Sequence, residues 1–159
     1  HLCISEDSHF LQKILLRKMT LGVVSRARYL YRIRSSGDLS AVQGSKQNPK
    51  WYLPRVEYLF EDTIRRCEAQ LGFVPKYIQH ALMYDLQWFL KLKDVPAGVL
   101  SDSEVQEFKQ RISALFSHID DDVILAQKSI YIEHKLYALQ KKYGAPPRLV
   151  AHTNDISFY

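Results

Sequence analysis

Cysteine is scarce in this chain of 159 residues: Cys3 and Cys67 are the only two. They stand far apart with no C-x-x-C spacing, which excludes a zinc framework and a disulfide scaffold. Both read as free thiols in a reducing compartment. Long hydrophobic runs are also missing. Asp85, Gln87 and Lys91 interrupt the most apolar stretch, so no membrane span is expected. No leader-type segment and no initiator Met stand at the front, and a chain opening at His1 is expected to be a piece of a longer protein. Nucleophile-elbow, P-loop and dinucleotide fingerprints are absent, as are internal repeats and low-complexity tracts. The six histidines are scattered, with no i, i+4 pair beside a carboxylate, so no metal centre is expected of them.

Charge is not strongly one-sided. Lys and Arg number 22 against 17 Asp and Glu, for a net charge of +5. That balance is compatible with an anionic ligand or membrane surface and requires neither. Tyr and Arg intermingle in Tyr29-Leu30-Tyr31-Arg32, but no RNA-binding motif accompanies them, so nucleic acid is not an expected partner. The hydrophobic fraction of 47% is enough to build a core in one domain of ordinary size.

Most of that hydrophobicity falls at helical spacing. Phe10, Leu11, Ile14, Leu15 and Met19 mark a helix over 8–20, with Ser5 as N-cap and Gly22 as its end. Residues 23–34 alternate instead. Ala27, Tyr29, Tyr31 and Ile33 share one face, and Arg26, Arg28, Arg32 and Arg34 share the other, which predicts a strand. Residues 35–49 read as a long loop. Pro54 then opens a helix striped by Val56, Leu59, Phe60, Ile64, Cys67 and Leu71, closed at Gly72. A second helix runs from Pro75 to about Lys93 and is apolar on most sides, as expected of the most buried element. Ser101-x-x-Glu104 is a capping box for a third, reaching about His118. Asp120 to Asp122 head a fourth segment, and a further helix covers 132–143 before Gly144. Residues 148–159 have strand character but no evident partner.

Four groups invite a chemical reading. Glu6 and Asp7 in a first helical turn suit the helix dipole, and they are equally placed to serve as a general base. The arginine face of 23–34 is either a solvated strand edge or a phosphate-binding surface. Asp120, Asp121 and Asp122 precede an apolar run, so N-capping is preferred over metal binding. Tyr84, Asp85, Gln87 and Trp88, with Gln79 and His80 upstream, read as a buried hydrogen-bond network rather than a catalytic cluster.

Taken in order, the strings Ser5-Glu6-Asp7-Ser8-His9-Phe10, Gly22-Val23-Val24, Tyr29-Leu30-Tyr31-Arg32-Ile33-Arg34 and Ser40 resemble the C-terminal part of a family 2 glycosyltransferase domain. Val74-Pro75-Lys76-Tyr77-Ile78-Gln79 and Tyr84-Asp85-Leu86-Gln87-Trp88 resemble the helical region appended to bacterial members, which are thought to build capsular or teichoic-type surface polysaccharides. Asp120 to Ile124 and His134 to Gly144 fit the same extension, so the likeness touches most of residues 5–144.

The resemblance implies a mainly α fold: a helical bundle preceded by a short helix-strand remnant of an α/β nucleotide-sugar transferase domain. Residues 1–47 are then the remnant, 48–144 the helical extension and 145–159 a tail or the start of a following segment. It implies Asp7 as the base that deprotonates an acceptor hydroxyl, with Glu6 beside it. Arg32, Arg34 and the loop through Ser40 lie where the family closes over donor diphosphate and acceptor. The implied partners are a nucleotide-diphospho-sugar and a glycan acceptor. The implied place is the cytoplasm, with peripheral association at the inner face of the bacterial membrane as an option. The family's donor-binding units and its metal-holding D-x-D motif are not in this chain. A divalent metal, Mg or Mn, is expected in the parent enzyme and none in this piece, which alone is expected to be inactive. The alternative expectation is a helical interaction or spacer module.

Overall fold

The computed structural model of the chain describes residues 5–20, 22, 24–28, 30, 44–146, 149–152 and 155–158. Among these, the α-helices are α1 (Glu6–Lys18), α2 (Leu53–Arg55), α3 (Asp62–Leu71), α4 (Lys76–Leu90), α5 (Asp102–Leu115), α6 (Asp121–Ala126) and α7 (Ile132–Tyr143). A π-helical segment, Val56–Glu61, joins α2 to α3, and short 3-10 turns cover Ser45–Gln47, Pro49–Trp51 and Phe116–His118. Two strands, β1 (Leu149–His152) and β2 (Asp155–Phe158), complete a mainly α architecture.

Helix ends follow local chemistry where that chemistry is strong. At α5 both halves of the capping box form: the Glu104 carboxylate accepts the Ser101 N–H at 2.7 Å, and Ser101 Oγ accepts the Glu104 N–H. Gly72 and Gly144 close α3 and α7 with φ of 76° and 72°, a left-handed geometry that glycine adopts without a Cβ clash.

Several expectations are corrected. Ser5 occupies the N-cap position of α1, but its φ is 67° and its side chain makes no capping bond. Gly22 does not end α1. Met19 does, at φ 52°, with its N–H on the Leu15 carbonyl at 2.8 Å. Within 23–34, the described residues Val24 to Arg28 form no strand. Ser25 and Arg26 sit in a turn closed by the Ala27 N–H on the Val24 carbonyl at 3.2 Å. Alternation makes a strand only where a neighbouring strand takes up the backbone bonds. The tail supplies its own partner instead, because β1 and β2 pair antiparallel with Leu149 opposite Phe158 and His152 opposite Asp155.

The core is built around α4. It buries Ile78, Leu82, Met83, Leu86 and Phe89 along one face while Tyr77, His80, Tyr84 and Trp88 stay exposed on the other, so it is apolar on fewer sides than expected, and it packs against α6. Near its C-terminal end an aromatic cluster forms. Phe89 meets Trp51 at 4.7 Å and Phe108 at 5.0 Å, both edge-to-face, and Tyr52 meets Phe108 at 5.3 Å. Edge-to-face pairs set the positive ring edge on the negative ring face and add about 0.5–1.5 kcal/mol each beyond burial. The cluster thereby ties the turn at Pro49–Trp51 to α4 and α5.

The helical stretch from Leu53 to Leu71 is not regular. In its π segment the Asp62 N–H donates to the Glu57 carbonyl, five residues back. That extra residue per turn rotates the register. Val56, Leu59 and Phe60 face the core, while the consecutive Asp62, Thr63 and Ile64 are all buried. Arg111 of α5 grips the π segment through a two-pronged bond to Glu61, Nε to Oε1 at 2.9 Å and an Nη to Oε2 at 2.6 Å.

Helix α1 packs on α3 and the π segment, yet its only buried side chains are Gln12 and Leu16. Polar bonds hold it. Thr63 Oγ1 donates to Gln12 Oε1 at 2.8 Å, and His9 Nε2 lies 3.0 Å from Asp62 Oδ2. Asp62 also accepts from Arg66 Nε at 2.6 Å and from Arg65. Burial pushes the Asp62 carboxyl up, but the bonds from Arg66 and His9 and the charges of Arg66 and Arg65 outweigh it, so it titrates below the ordinary range.

Two stability effects are expected. Ser101→Ala should cost about 1 kcal/mol in denaturant unfolding through loss of the cap. Asp62→Asn should destabilise the chain at pH 7, where the native carboxylate is ionised and bonded. A lowered native pKa stabilises above the unfolded-state value of about 3.9, and that stabilisation is lost as pH falls through the native value. The gap between the wild type and Asp62→Asn should therefore be full at pH 6–7 and shrink below about pH 4. A pH-independent gap would show that the charge contributes nothing.

Candidate functional site

Asp7 and Glu6 sit in the first turn of α1, both exposed. The amphipathic spacing of α1 sets their direction. Ser8, Gln12 and Leu16, four residues apart, face the helical body. Asp7, Phe10, Leu11 and Ile14 share the opposite flank. Phe10, Leu11 and Ile14 remain exposed there. Asp7 opens on a groove of about 360 Å³ between α1 and α4, whose lining includes Ser8, Leu11, Ala81, Tyr84 and Asp85. Glu6 does not line it.

Two carboxylates therefore meet one groove in different states. Asp7 is solvent-facing, and its Oδ1 accepts the Ser8 N–H at 2.7 Å. Asp85 is buried and fully engaged. Its Oδ1 accepts from an Nη of Arg55 at 2.8 Å, and its Oδ2 accepts from Ser8 Oγ at 2.7 Å. Burial pushes the Asp85 carboxyl above its ordinary range. Arg55 and the Ser8 hydroxyl pull it back part of the way, while the Asp7 charge adds to the upward push.

Arg55 is the most confined charge among the described residues, with 3% of its surface exposed. Its guanidinium carbon lies 5.0 Å from the Phe89 ring centroid, 5.6 Å from Trp51 and 5.9 Å from Phe60. Among the described residues its Nε and one Nη find no hydrogen-bond partner. Burial lowers its pKa, and Asp85 and then Asp7 oppose that shift. Guanidinium tolerates such a place because it is weakly hydrated and stacks on rings.

The network expected around Tyr84–Trp88 is present in part. Asp85, Gln79 and Gln87 are buried. Gln79 donates to the Val74 carbonyl at 2.8 Å and accepts the Asp120 N–H at 2.6 Å. Tyr84, Trp88 and His80 stay exposed. The aspartate triplet behaves otherwise than expected. Asp120 holds the N-cap position of α6 without a side-chain cap. Asp121 takes Lys142 Nζ at 2.6 Å, and Asp122 takes Lys76. Each carboxylate thus fastens α6 to another helix.

Arg32, Arg34 and Ser40 lie outside the described residues; Arg26 and Arg28 are exposed. Among the described residues no group of three or more His, Cys, Asp or Glu side chains is placed to hold a metal ion. Asp85, the carboxylate next to Asp7 in the groove, is already bonded on both oxygens by Arg55 and Ser8. Cys67 is buried, and desolvation lifts its thiol to about 11, which leaves it inert. No helix among the described residues is long and apolar enough to cross a membrane.

Sequence reasoning missed Arg55, Ser8 and His9. Arg55 follows Pro54 in an unremarkable first turn, and nothing local marks it as buried. For Ser8 the one available signal was its place in the Ser5–Phe10 string, one residue after the candidate base.

No family model and no solved structure matches the chain. It is similar to two curated proteins of Bacillus subtilis (strain 168). One is the minor teichoic acid biosynthesis protein GgaB, 33% identical over 141 residues, which is 89% of this chain. The other is the minor teichoic acid biosynthesis protein GgaA, 26% identical over 140 residues, or 86% of this chain. The chain spans 16% of the first relative's length and 31% of the second's.

Proposed function

We propose that this chain is the acceptor-side edge of a glycosyltransferase in teichoic-type polysaccharide biosynthesis, with Asp7 as general base. The observation that carries this reading is the placing of Asp7. It is an exposed carboxylate on a fixed helical turn, opening on a groove, with its neighbour Asp85 already neutralised by Arg55. The similarity to two teichoic acid biosynthesis proteins supports the same reading.

In this scheme the Asp7 carboxylate takes the proton of an acceptor hydroxyl. The freed oxygen attacks the anomeric carbon of a nucleotide-diphospho-sugar, and the carbon–oxygen bond to the diphosphate breaks with inversion. Asp7 suits the first step because solvent reaches it and, among the described residues, no Lys, Arg or His forms a direct salt bridge with it. Glu6, beside it but off the groove, contributes negative potential at the helix start. Arg32, Arg34 and Ser40 are proposed contacts to donor diphosphate and acceptor. The donor pocket and a divalent metal are assigned to the remainder of a longer, cytoplasmic family 2 enzyme, and the isolated chain is inactive because a base without a bound donor positions nothing. Glu6 is the weaker half of the acidic pair, since the groove excludes it.

A second reading is favoured by the exposed aromatic side of α4. Tyr77, Tyr84 and Trp88 lie on one flank and remain in solvent, and aromatic residues are enriched at contact surfaces. Under that reading the helical part is a module that orders a neighbouring domain, subunit or membrane surface. One experiment separates the two. In the full-length protein that carries this chain, Asp7→Asn should lower kcat by about 10²–10⁴ with the fold intact. A kcat equal to wild type removes Asp7 from the chemistry and leaves the module reading.

A further inference from the structure

We infer that Ser8, Asp85 and Arg55 form a brace that positions Asp7, so the helical body sets the geometry of the proposed base; the inference rests on the base reading above. The brace is a continuous chain of bonds. An Nη of Arg55 donates to Asp85 Oδ1 at 2.8 Å, Ser8 Oγ donates to Asp85 Oδ2 at 2.7 Å, and the Ser8 N–H donates to Asp7 Oδ1 at 2.7 Å. The chain crosses 77 residues of sequence in one step, from α1 to α4.

The first turn of α1 has little local support beyond the bond of the Ser8 N–H to the Asp7 carboxylate. Its N-cap residue Ser5 makes no side-chain cap and sits in the left-handed region, which costs a non-glycine residue about 1–2 kcal/mol. An uncapped helix start frays, and Asp7 is its second residue. The Ser8 hydroxyl replaces the missing cap with a tertiary anchor. Gln12 adds to it, with Nε2 3.4 Å from Ser8 Oγ and Oε1 bonded to Thr63.

The anchor is stiff because its far end is. Asp85 cannot turn away without abandoning a guanidinium that is 3% exposed and walled by Trp51, Phe60 and Phe89. Breaking one partner of such a pair leaves an uncompensated buried charge. Ser8 therefore bonds to a carboxylate with one available orientation. The Ser8 N–H in turn holds one oxygen of Asp7, leaving Oδ2 for an acceptor hydroxyl.

Ser8 and Asp85 line the groove beside Asp7, but the Ser8 hydroxyl and the Asp85 carboxylate are bonded to each other and to the enclosed Arg55, so all three are positioning residues that act through Asp7. The test uses steady-state kinetics of the full-length protein with Ser8→Ala, Asp7→Asn and the double variant, alongside thermal unfolding of each. Ser8→Ala leaves the Arg55–Asp85 pair intact and should keep the fold. It should lower kcat roughly 10- to 100-fold with KM little changed, the scale of an ångström-level misplacement. In the Asp7→Asn background the same change should cost almost nothing, since there is no base left to position. Wild-type kcat in Ser8→Ala, together with a crippled Asp7→Asn, would overturn the brace and spare the base. An equal loss from Ser8→Ala in both backgrounds would also overturn it. Full activity in Asp7→Asn would overturn the base reading itself.

Discussion

The pairing of Arg55 with Asp85 inside an aromatic wall is the constraint on which the surrounding structure depends. Both charges are buried, and desolvation opposes each. Their mutual attraction, the ring faces of Phe89, Trp51 and Phe60, and the Ser8 hydroxyl are what offset that cost. Replacing such a pair by apolar groups is often neutral for stability, so its presence is better explained by what it orients than by the energy it adds. It orients three elements at once. Arg55 ends α2 just before the π segment, Asp85 lies mid-α4, and Ser8 opens α1. The wider turn of the π segment turns Asp62 and Thr63 toward α1, where they meet His9 and Gln12.

Helix α1 is consequently attached by polar contacts with little apolar burial. Leu16 is its one buried hydrophobic residue, while Phe10, Leu11 and Ile14 face outward beside Asp7. Polar attachment is directional: hydrogen bonds fix rotation and register where a greasy contact allows sliding. A helix proposed to carry the base benefits from that property.

What was legible in the sequence was what is decided locally. The Ser101–Glu104 box, the glycine stops at Gly72 and Gly144, and the apolar stripes of α3 and α4 each depend on residues within one or two turns. Asp85 was readable as part of a buried network because a carboxylate in so apolar a helix must be paired. Its partner was not readable, since Arg55 lies 30 residues away and the π segment alters the register between them. Ser5 and Asp120 looked like caps, but backbone geometry at Ser5 and the turn of Asp120 toward solvent left neither side chain in position. The described part of the arginine alternation, Val24 to Arg28, departed from expectation for a different reason. Period two predicts which faces a strand would have, not that a neighbour exists to form one, and Val24 to Arg28 turn instead. The tail's pairing was missed by the converse error of seeking its partner elsewhere in the chain.

The central claim is that the buried Arg55–Asp85 pair fastens α1 to the helical body. Amide hydrogen exchange on Arg55→Met/Asp85→Leu tests it most directly, because the double change removes both charges and leaves the core filled. The account predicts that amides of α1 lose protection while those of α5 and α7 keep theirs. Unchanged protection across α1, with Ser8 deprived of its anchor, would contradict it.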